Sequence, residues 1–248
     1  IHGKIEFKKV QFTYPEKKIL ALNEISFKID RNSSLAIMGE IGSGKSTILE
    51  LICGVNSPSK GDIYIDDVNL KNQNIDNLRS FIGFVPQNSF LFSDTIENNI
   101  RFGNENADLK EIKQVSKWTC ILNDIEKFNK KFKTILGERG VNLSGGQKQR
   151  ISISRALIKD PKILIMDDSL SSVDSETEEQ IIKNICSIKK SFTFIMTTNR
   201  VSCAKNFENI LIIQNGKVTQ FGNHNDLIKK NGYYKEIYRF QSSHKEII

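Results

Sequence analysis

The feature that most constrains the fold is a glycine-rich segment between an apolar run and a helical pattern. Residues 34–38 are mostly apolar, and residues 39–46 follow with the spacing G-x-x-x-x-G-K-S. Residues 46–53 then have helical periodicity, which ends before Gly54. A strand, a glycine loop and a helix in this order predict a phosphate-binding loop, or P-loop, in an α/β domain.

The loop residues have separate expected roles in nucleotide binding. Glycines let backbone N–H groups curve around phosphates, and the helix N-terminus adds its positive dipole end. We expect Lys45 to reach the outer phosphates of ATP and Ser46 to ligate Mg²⁺. A glycine-rich turn without a ligand is the alternative, which the flanking strand and helix disfavour. The predicted nucleotide-binding residues here are Gly39, Glu40, Ile41, Gly42, Ser43, Gly44, Lys45, Ser46 and Thr47.

Other apolar runs predict the rest of the core. Residues 82–85, 163–166 and 192–196 alternate with helical stretches, which is typical of a doubly wound parallel sheet. Residues 5–12 and 22–29 instead alternate apolar and polar side chains, which favours an antiparallel layer. The predicted fold class is therefore α/β, with a P-loop core and an antiparallel β subdomain.

A mostly helical stretch at residues 93–140 interrupts the strand pattern. We predict one domain over residues 1–248, in which residues 1–92 and 141–248 form the catalytic core with its β subdomain. Residues 93–140 form an inserted helical subdomain in this division. Gln-Asn-Gly-Lys at residues 214–217, between two apolar runs, predicts a hairpin near the end.

Composition excludes several classes of protein. The chain has 248 residues, 38% hydrophobic and 26% charged, as expected for an ordinary folded domain. Its apolar runs, such as residues 210–213, are far shorter than the roughly 18 residues of a membrane span. The chain begins at Ile1 without a signal-peptide pattern, so we expect a segment of a longer protein whose membrane domain lies outside it.

Charge and cysteine content point to no further ligand. The formal charge of +7 comes from lysines spread along the chain, which favours a solvated surface over a nucleic-acid site. The cysteines are widely spaced, with no CxxC pair and no histidine at metal-ligand spacing, which predicts free thiols. They are Cys53, Cys120, Cys186 and Cys203.

An acidic residue, Asp167, ends the apolar run at residues 163–166. A P-loop enzyme holds its magnesium at such a position, usually through water. Such an aspartate is often only a loop residue, but the upstream P-loop makes a Mg²⁺ site the better interpretation.

A second anion-binding pattern is Leu-Ser-Gly-Gly-Gln at residues 143–147, before a helical stretch. Ser144, Gly145, Gly146 and Gln147 would present backbone N–H groups at a helix N-terminus. One ATP does not need two phosphate cradles from one chain. We therefore expect this segment to contact a nucleotide held by another chain.

These three features, in this order, resemble the ATPase of ABC transporters from end to end. The resemblance implies a head-to-tail dimer of two cassettes. In this dimer ATP lies between the P-loop of one cassette and the Leu-Ser-Gly-Gly-Gln signature of the other.

The resemblance extends to further positions. Tyr14, in Phe-Thr-Tyr-Pro, is similar to the aromatic residue that stacks on adenine, with a core aromatic as the alternative. Gln87, in Val-Pro-Gln, resembles the glutamine that senses magnesium and the attacking water, rather than a solvated loop residue. Residues 171–174 are similar to the loop that signals between the two sites, and Asp174 is also a candidate helix N-cap.

Two segments resemble the exporter branch of the family. Residues 134–140, Thr-Ile-Leu-Gly-Glu-Arg-Gly, are similar to the loop that touches the coupling helices of the transmembrane domain. Residues 91–96, together with Asn99 and Ile100, also resemble the exporter branch. The resemblance therefore implies ATP-driven export, a position at the cytoplasmic face of a membrane, and no nucleic-acid partner.

Two catalytic positions depart from the family pattern. The residue after Asp167 is usually a glutamate that polarises the attacking water, and here it is Asp168, one methylene shorter. A misplacement of roughly 1 Å can cost ~10²-fold in rate. Asn199 stands where the family has a histidine that contacts the γ-phosphate, and asparagine cannot supply a positive charge. The histidines, His2, His224 and His244, are too distant to replace it.

These departures predict a weak hydrolytic site beside an intact signature. Such asymmetry resembles one half of a heterodimeric exporter, with a slow homodimer that uses Asp168 as base as the alternative. A soluble ABC ATPase without a transport role and a regulatory cassette with little turnover also remain open.

Overall fold

A computed structural model describes residues 1–16, 18–188 and 192–243, and His244 lies outside them. The strands in these residues are β1 (Ile5–Tyr14), β2 (Ile19–Ile29), β3 (Ser34–Met38), β4 (Lys60–Ile65), β5 (Val68–Asn69), β6 (Ile82–Val85), β7 (Ile163–Asp167), β8 (Thr193–Thr197), β9 (Asn209–Gln214) and β10 (Lys217–Gly222).

The α-helices are α1 (Lys45–Ile52), α2 (Ile75–Ser80), α3 (Ile96–Arg101), α4 (Leu109–Trp118), α5 (Leu122–Lys127), α6 (Gly145–Leu157), α7 (Ser175–Ile188), α8 (Val201–Ala204), α9 (His224–Leu227) and α10 (Tyr233–Ser243). Short 3₁₀ turns lie at Leu70–Asn72, Lys131–Lys133 and Glu138–Gly140. No helix in the described part of the chain combines the length and the apolarity that crossing a bilayer requires.

The central sheet has six strands in the order β10-β9-β3-β8-β7-β6. All neighbouring pairs are parallel except β9 and β10, which form an antiparallel hairpin. Asn215 and Gly216 connect this hairpin with φ angles of +49° and +71°, as a two-residue turn of this type needs. The predicted doubly wound core and the predicted hairpin are both confirmed.

A second sheet of four strands, in the order β2-β1-β4-β5, forms the predicted antiparallel layer. Phe7 and Phe27 stack inside it with ring centroids 4.5 Å apart. Side chains on a strand alternate between faces, so β3 contributes to two apolar clusters. Leu35 and Ile37 belong to the cluster under the antiparallel layer, whereas Ala36 belongs to the cluster that reaches the helical segment.

Helices α3, α4 and α5 lie between β6 and α6 in the chain, inside the segment predicted to be helical. Their buried side chains, such as Ile100 and Ile112, join the same cluster as Ile151 of α6. This packing attaches α6 to both the helical segment and the central sheet. The carboxyl ends of β3, β7 and β8 meet at one edge of the sheet, where the candidate site lies.

Candidate functional site

The P-loop follows β3 directly and has a backbone that favours glycine at three positions. Gly39, Gly42 and Gly44 have φ angles of +154°, +80° and +106°. A Cβ on Gly39 would lie 2.1 Å from the carbonyl oxygen of Ile213, so no larger residue fits there. A Cβ on Gly44 would meet the side chain of Leu22 at 2.6 Å. Packing against β2 and β9 therefore fixes the shape of the loop.

The interior of this loop presents a cation and an unsatisfied hydroxyl. The Lys45 ammonium donates to the carbonyl oxygens of Gly39 and Glu40 at 2.7 and 2.8 Å. Burial lowers the pKa of Lys45, against the opposite effects of Asp168 and Asp167. The Ser43 hydroxyl is buried and has no hydrogen-bond partner among the described residues. Phosphate oxygens would satisfy both groups, so the loop fits a polyphosphate.

A cavity of about 1050 Å³ opens from the P-loop towards the antiparallel layer. Tyr14 lines it together with Lys45, Ser46 and Thr47, so the structure brings Tyr14 and the P-loop together as predicted. The Tyr14 hydroxyl lies 2.9 Å from Thr47 Oγ1 and donates to Glu50 at 3.3 Å. These contacts fix the ring in the wall of the cavity, and burial raises the pKa of the Tyr14 hydroxyl.

The tip of the P-loop faces solvent. Glu40 is exposed, and the side chain of Ile41 is 96% exposed.

The acidic end of β7 is held by a residue that the sequence patterns did not single out. Thr197, at the end of β8, donates from Oγ1 to Asp167 Oδ1 at 2.6 Å. Thr197 Oγ1 also accepts the backbone N–H of Asp168 at 2.8 Å. Thr197 pairs with Asp167 in the register of the parallel strands, which explains why these groups meet.

Asp168 lies half-buried beside a second carboxylate. Its backbone has φ +42°, which is uncommon for a residue other than glycine. Burial, and then the charge of Asp167, raise the pKa of Asp168, while Arg200 and Lys45 oppose this shift. Asp168 is therefore a stronger base than an ordinary aspartate, although its side chain is short.

Two loops near Asp168 are joined by Arg200, a residue that no sequence pattern indicated. Its guanidinium donates to the buried carboxylate of Glu178 at 2.5 Å. It also donates to the carbonyl oxygens of Val173 and Ser171 at 3.4 and 3.2 Å. Arg200 thus fixes the predicted signalling loop, residues 171–174, against the loop that carries Asn199. Asp174 caps α7 through the N–H of Thr177 at 2.9 Å, which confirms the N-cap alternative.

Asn199 is exposed at the end of the loop after β8, close to Arg200 in the chain. Its carbonyl oxygen accepts a hydrogen bond from Gln241 Nε2 of α10 at 2.7 Å. Gln241 Oε1 in turn accepts the backbone N–H of Val201 at 2.8 Å. The last described helix therefore supports the loop that presents Asn199.

Gln87 follows β6 and is exposed. It lines a second cavity of about 790 Å³ together with Asp167, Phe84, Phe102 and Arg155. The half-buried guanidinium of Arg155 donates to the carbonyl oxygens of Asn99 and Phe90, and burial lowers the pKa of Arg155 to about 10. Because both Gln87 and Asp167 line it, this apolar groove adjoins the acidic edge of the nucleotide site.

The signature segment lies at the start of α6. Ser144 is the N-cap, and its hydroxyl accepts the N–H of Gln147 at 3.2 Å while Gln147 Oε1 accepts the N–H of Ser144 at 3.0 Å. Gly145 and Gly146 pack against Ser172, and a Cβ on Gly146 would lie 2.9 Å from the carbonyl oxygen of Ser172. The side chain of Gln147 therefore stabilises the start of the helix. Because Gly145 and Gly146 have no side chains, the loop that contains Ser172 can pack closely against them.

Ser144 and Gly145 are exposed, and neither lines the cavity next to the P-loop. Within one chain, the predicted second anion site is thus separate from the first. The described residues contain no cluster of three or more histidine, cysteine or acidic side chains suited to a metal. A hydroxyl and one carboxylate, completed by phosphate oxygens and water, match the way in which Mg²⁺ is held at nucleotide sites.

The class of protein follows from this combination of fold and loops. A family model described as ABC transporter matches residues 22–171. The chain belongs to the ABC transporter family, and its fold is that of the family's ATP-binding, ATPase-type cassette.

Individual relatives agree with this assignment. The chain is 41% identical over 240 residues to an ATP-dependent lipid A-core flippase of Wigglesworthia glossinidia brevipalpis, covering 96% of this chain and 41% of that protein. It is 42% identical over 239 residues to the multidrug resistance-like ATP-binding protein MdlA of Escherichia coli (strain K12), covering 96% and 40%. The chain thus spans about two fifths of these curated relatives.

A solved structure of a bacterial Atm1-family ABC exporter with ATP bound superimposes with a TM-score of 0.91. The sequences are 34% identical, and the match covers 97% of this chain and 42% of that one. The predicted fold class and the predicted family are both confirmed. The roles of individual residues remain predictions.

Proposed function

We propose that the chain is the ATP-binding and ATP-hydrolysing motor domain of an ABC exporter. The observation that carries this proposal is the P-loop itself. Its glycine backbone, the buried hydroxyl of Ser43 and the ammonium of Lys45 converge beside Ser46 and Asp167, as a Mg·ATP site requires. The exporter relatives support the transport role.

Each binding residue has a role in this proposal. Tyr14 stacks on adenine in the cavity beside the P-loop, and the P-loop amides bind the phosphates. Lys45 moves from its carbonyl contacts to the outer phosphates. Ser46, Asp167 and Gln87 would hold magnesium, partly through water. Magnesium, when bound, neutralises charge on the phosphates that are to be separated.

The second half of each site comes from another cassette in this proposal. Ser144, Gly145, Gly146 and Gln147 form a helix start that is separate from the P-loop cavity, with Ser144 and Gly145 exposed. Such a start suits the γ-phosphate of a nucleotide on a partner chain. A head-to-tail dimer uses both features of each chain, which is why it explains the arrangement better than a monomer does.

The hydrolytic half of this chain's own site is weak in this proposal. Asp168 occupies the position of the base that polarises the attacking water. However, its main-chain N–H is bound to Thr197 and its side chain is short. Asn199 cannot offer the cationic contact of a histidine. A partner with an intact site would then perform most of the hydrolysis. A regulatory cassette with little turnover is the second candidate, favoured by the same two residues.

The groove beside Gln87 is the proposed contact with a transmembrane domain. Phe84 and Phe102 are 43% and 63% exposed at its rim, and an apolar groove this open suits a helix from a partner. Ile135, in the predicted coupling segment, is 64% exposed. This contact would place the cassette at the cytoplasmic face of a membrane, where it drives export.

ATP-dependent association of the isolated cassette, measured by sedimentation at high protein concentration, tests the dimer. Lys45→Ala and Ser144→Arg should each prevent association when studied alone. Mixed together, they should recover it in part, because the mixed dimer has one site with an intact P-loop and an intact signature. Association of Ser144→Arg alone at the wild-type level would contradict the trans arrangement. A wild-type chain that binds ATP but does not self-associate would favour the heterodimer.

A further inference from the structure

Strand β8 lies in the middle of the central sheet, and every residue from Thr193 to Thr197 is buried. The two threonines lie at opposite ends of this otherwise apolar strand, and each has 0% exposure. A buried hydroxyl is unfavourable unless its hydrogen bonds are made. The contacts of Thr197 therefore show what its hydroxyl does.

The direction of both Thr197 hydrogen bonds is fixed by chemistry. The backbone N–H of Asp168 can only donate, so Thr197 Oγ1 accepts it at 2.8 Å. The single hydroxyl hydrogen of Thr197 is then free to bind Asp167, and it does so at Oδ1, 2.6 Å away. A bond this short to a carboxylate is charge-assisted and restricts the rotation of the Asp167 side chain.

This arrangement sets both acidic residues at once. With Oδ1 of Asp167 directed to β8, its Oδ2 is left for other ligands, at the edge where the P-loop helix begins. The main chain of Asp168, at φ +42°, is held by the second bond. A positive φ at a residue other than glycine persists only where its surroundings hold it.

We infer that Thr197 is a positioning residue for magnesium in the nucleotide site. It holds the Asp167 carboxylate in the orientation that binds the ion and fixes the start of the loop that carries Asp168. This inference rests on the proposed function, because it takes Asp167 as the magnesium residue. Residues that orient a metal ligand in this way typically change metal affinity by about 10- to 100-fold when removed.

The alternative is that Thr197 only satisfies a buried strand end, and the chain contains a matched control for it. Thr193 lies on the same strand with the same burial. Its Oγ1 donates to the Gly3 carbonyl oxygen at 2.7 Å and accepts the Asn32 N–H at 3.0 Å. Thr193 therefore also accepts one backbone N–H and donates to one oxygen, but that oxygen is a neutral backbone carbonyl at the end of β8 away from Asp167.

The test measures ATP affinity with a fluorescent analogue while Mg²⁺ is varied, with EDTA as the metal-free reference. In Thr197→Val, half-maximal enhancement of ATP affinity should need a Mg²⁺ concentration about tenfold higher than in wild type, or more. The ATP affinity without metal should stay nearly unchanged. Thr193→Val should lower the melting temperature by a similar amount without changing the Mg²⁺ requirement. Thr197→Ser, which keeps the hydroxyl, should restore wild-type behaviour.

The inference is overturned if the ATP affinity of Thr197→Val is enhanced at the same Mg²⁺ concentration as that of wild type. It is also overturned if Thr193→Val requires as high a Mg²⁺ concentration as Thr197→Val. If Thr197→Val does not fold, Thr197→Cys decides, because its thiol is a weak donor and should give an intermediate requirement. A wild-type chain whose ATP affinity does not depend on Mg²⁺ would instead overturn the proposed role of Asp167.

Discussion

Lys45 contacts the first residue of its own loop: its ammonium donates to the Gly39 carbonyl oxygen at 2.7 Å. The positive-φ backbone of Gly39 turns that carbonyl into the loop, and no side chain fits at this position. Burial lowers the pKa of Lys45, so its charge lacks full compensation from these neutral oxygens. Polyphosphate would supply that compensation within the same loop.

The first prediction is that Lys45→Ala removes most ATP affinity. A charge-assisted hydrogen bond to phosphate contributes about 1.5–3 kcal/mol, so the dissociation constant should rise at least about tenfold. Lys159→Ala is the matched control, because the Lys159 ammonium also donates to two backbone carbonyl oxygens, at 2.7 and 2.8 Å, away from the P-loop. Equilibrium titration with a fluorescent ATP analogue decides, and unchanged affinity in Lys45→Ala would remove the P-loop assignment.

The second prediction separates the ring of Tyr14 from its hydroxyl. Tyr14→Ala should weaken ATP binding by about 1–3 kcal/mol through lost stacking on adenine. Tyr14→Phe keeps the ring and loses only the contacts to Thr47 and Glu50, so its affinity should remain close to wild type. Comparing ATP with tripolyphosphate gives the readout, because tripolyphosphate has no base. Equal losses for both ligands would argue against stacking.

The third prediction concerns the signature segment. Ser144→Arg places bulk and charge where the partner's nucleotide should lie, so the full transporter should lose most ATPase activity. ATP binding to the isolated domain should stay nearly intact. The variant also loses a helix cap, which costs about 1 kcal/mol. Asp108→Ala controls for this loss, because Asp108 forms the same kind of capping box on α4. Loss of ATP binding by isolated Ser144→Arg would contradict the prediction.

Local sequence patterns predicted the parts of the site that lie at the ends of single elements. The P-loop follows the buried strand β3 and Asp167 ends the strand β7, so their positions next to apolar runs already place them at the same edge of the sheet. The same holds for the fold class, because apolar runs and their period depend on neighbouring residues. The capping role of Gln147 was missed although Ser-x-x-Gln before a helix is a recognisable pattern for it.

The contacts that support these residues were not predictable in the same way. Thr197 binds Asp167 from a strand 30 positions later in the chain, and Arg200 binds Glu178 across 22 positions. Gln241 reaches Asn199 across 42 positions. A threonine, an arginine and a glutamine carry no signal of such pairings, because only the register of the sheet and the packing of the helices bring them together.

The fourth prediction follows from the raised pKa of Asp168. A carboxyl group whose pKa is raised by folding stabilises the folded state only while it is protonated, and this contribution is lost as pH rises through its folded pKa. At pH values above that folded pKa, the ionised Asp168 therefore lowers stability. Asp168→Asn should raise the melting temperature at pH 7, and the gain should shrink as pH falls through that folded pKa.

Melting curves of both proteins between pH 7 and pH 4 test this prediction. Exposed Asp30→Asn is the control and should change the melting temperature little at any of these pH values. A loss of stability in Asp168→Asn at pH 7 would mean that burial and the Asp167 charge do not dominate at this position.

The last prediction is that the isolated cassette binds Mg·ATP but hydrolyses it very slowly. The side chain of Asp168 is one methylene shorter than that of the glutamate that usually polarises the attacking water, and the backbone of Asp168 is bound to Thr197. Asn199 offers no cationic contact to the γ-phosphate. Asp168→Glu combined with Asn199→His should raise turnover more than the product of the two single effects, because residues that act on one transition state are coupled.

Turnover should be measured at high protein concentration, where a head-to-tail dimer can form and each intact signature can complete a site. The binding titration on the same samples shows whether any change lies in turnover or in affinity. Gln241→Glu would remove the donor to the Asn199 carbonyl, so it also tests whether Asn199→His needs that support. If the wild-type domain already turns over at roughly 1 s⁻¹ or faster, Asp168 is a competent base. The heterodimer proposal would then lose its main support.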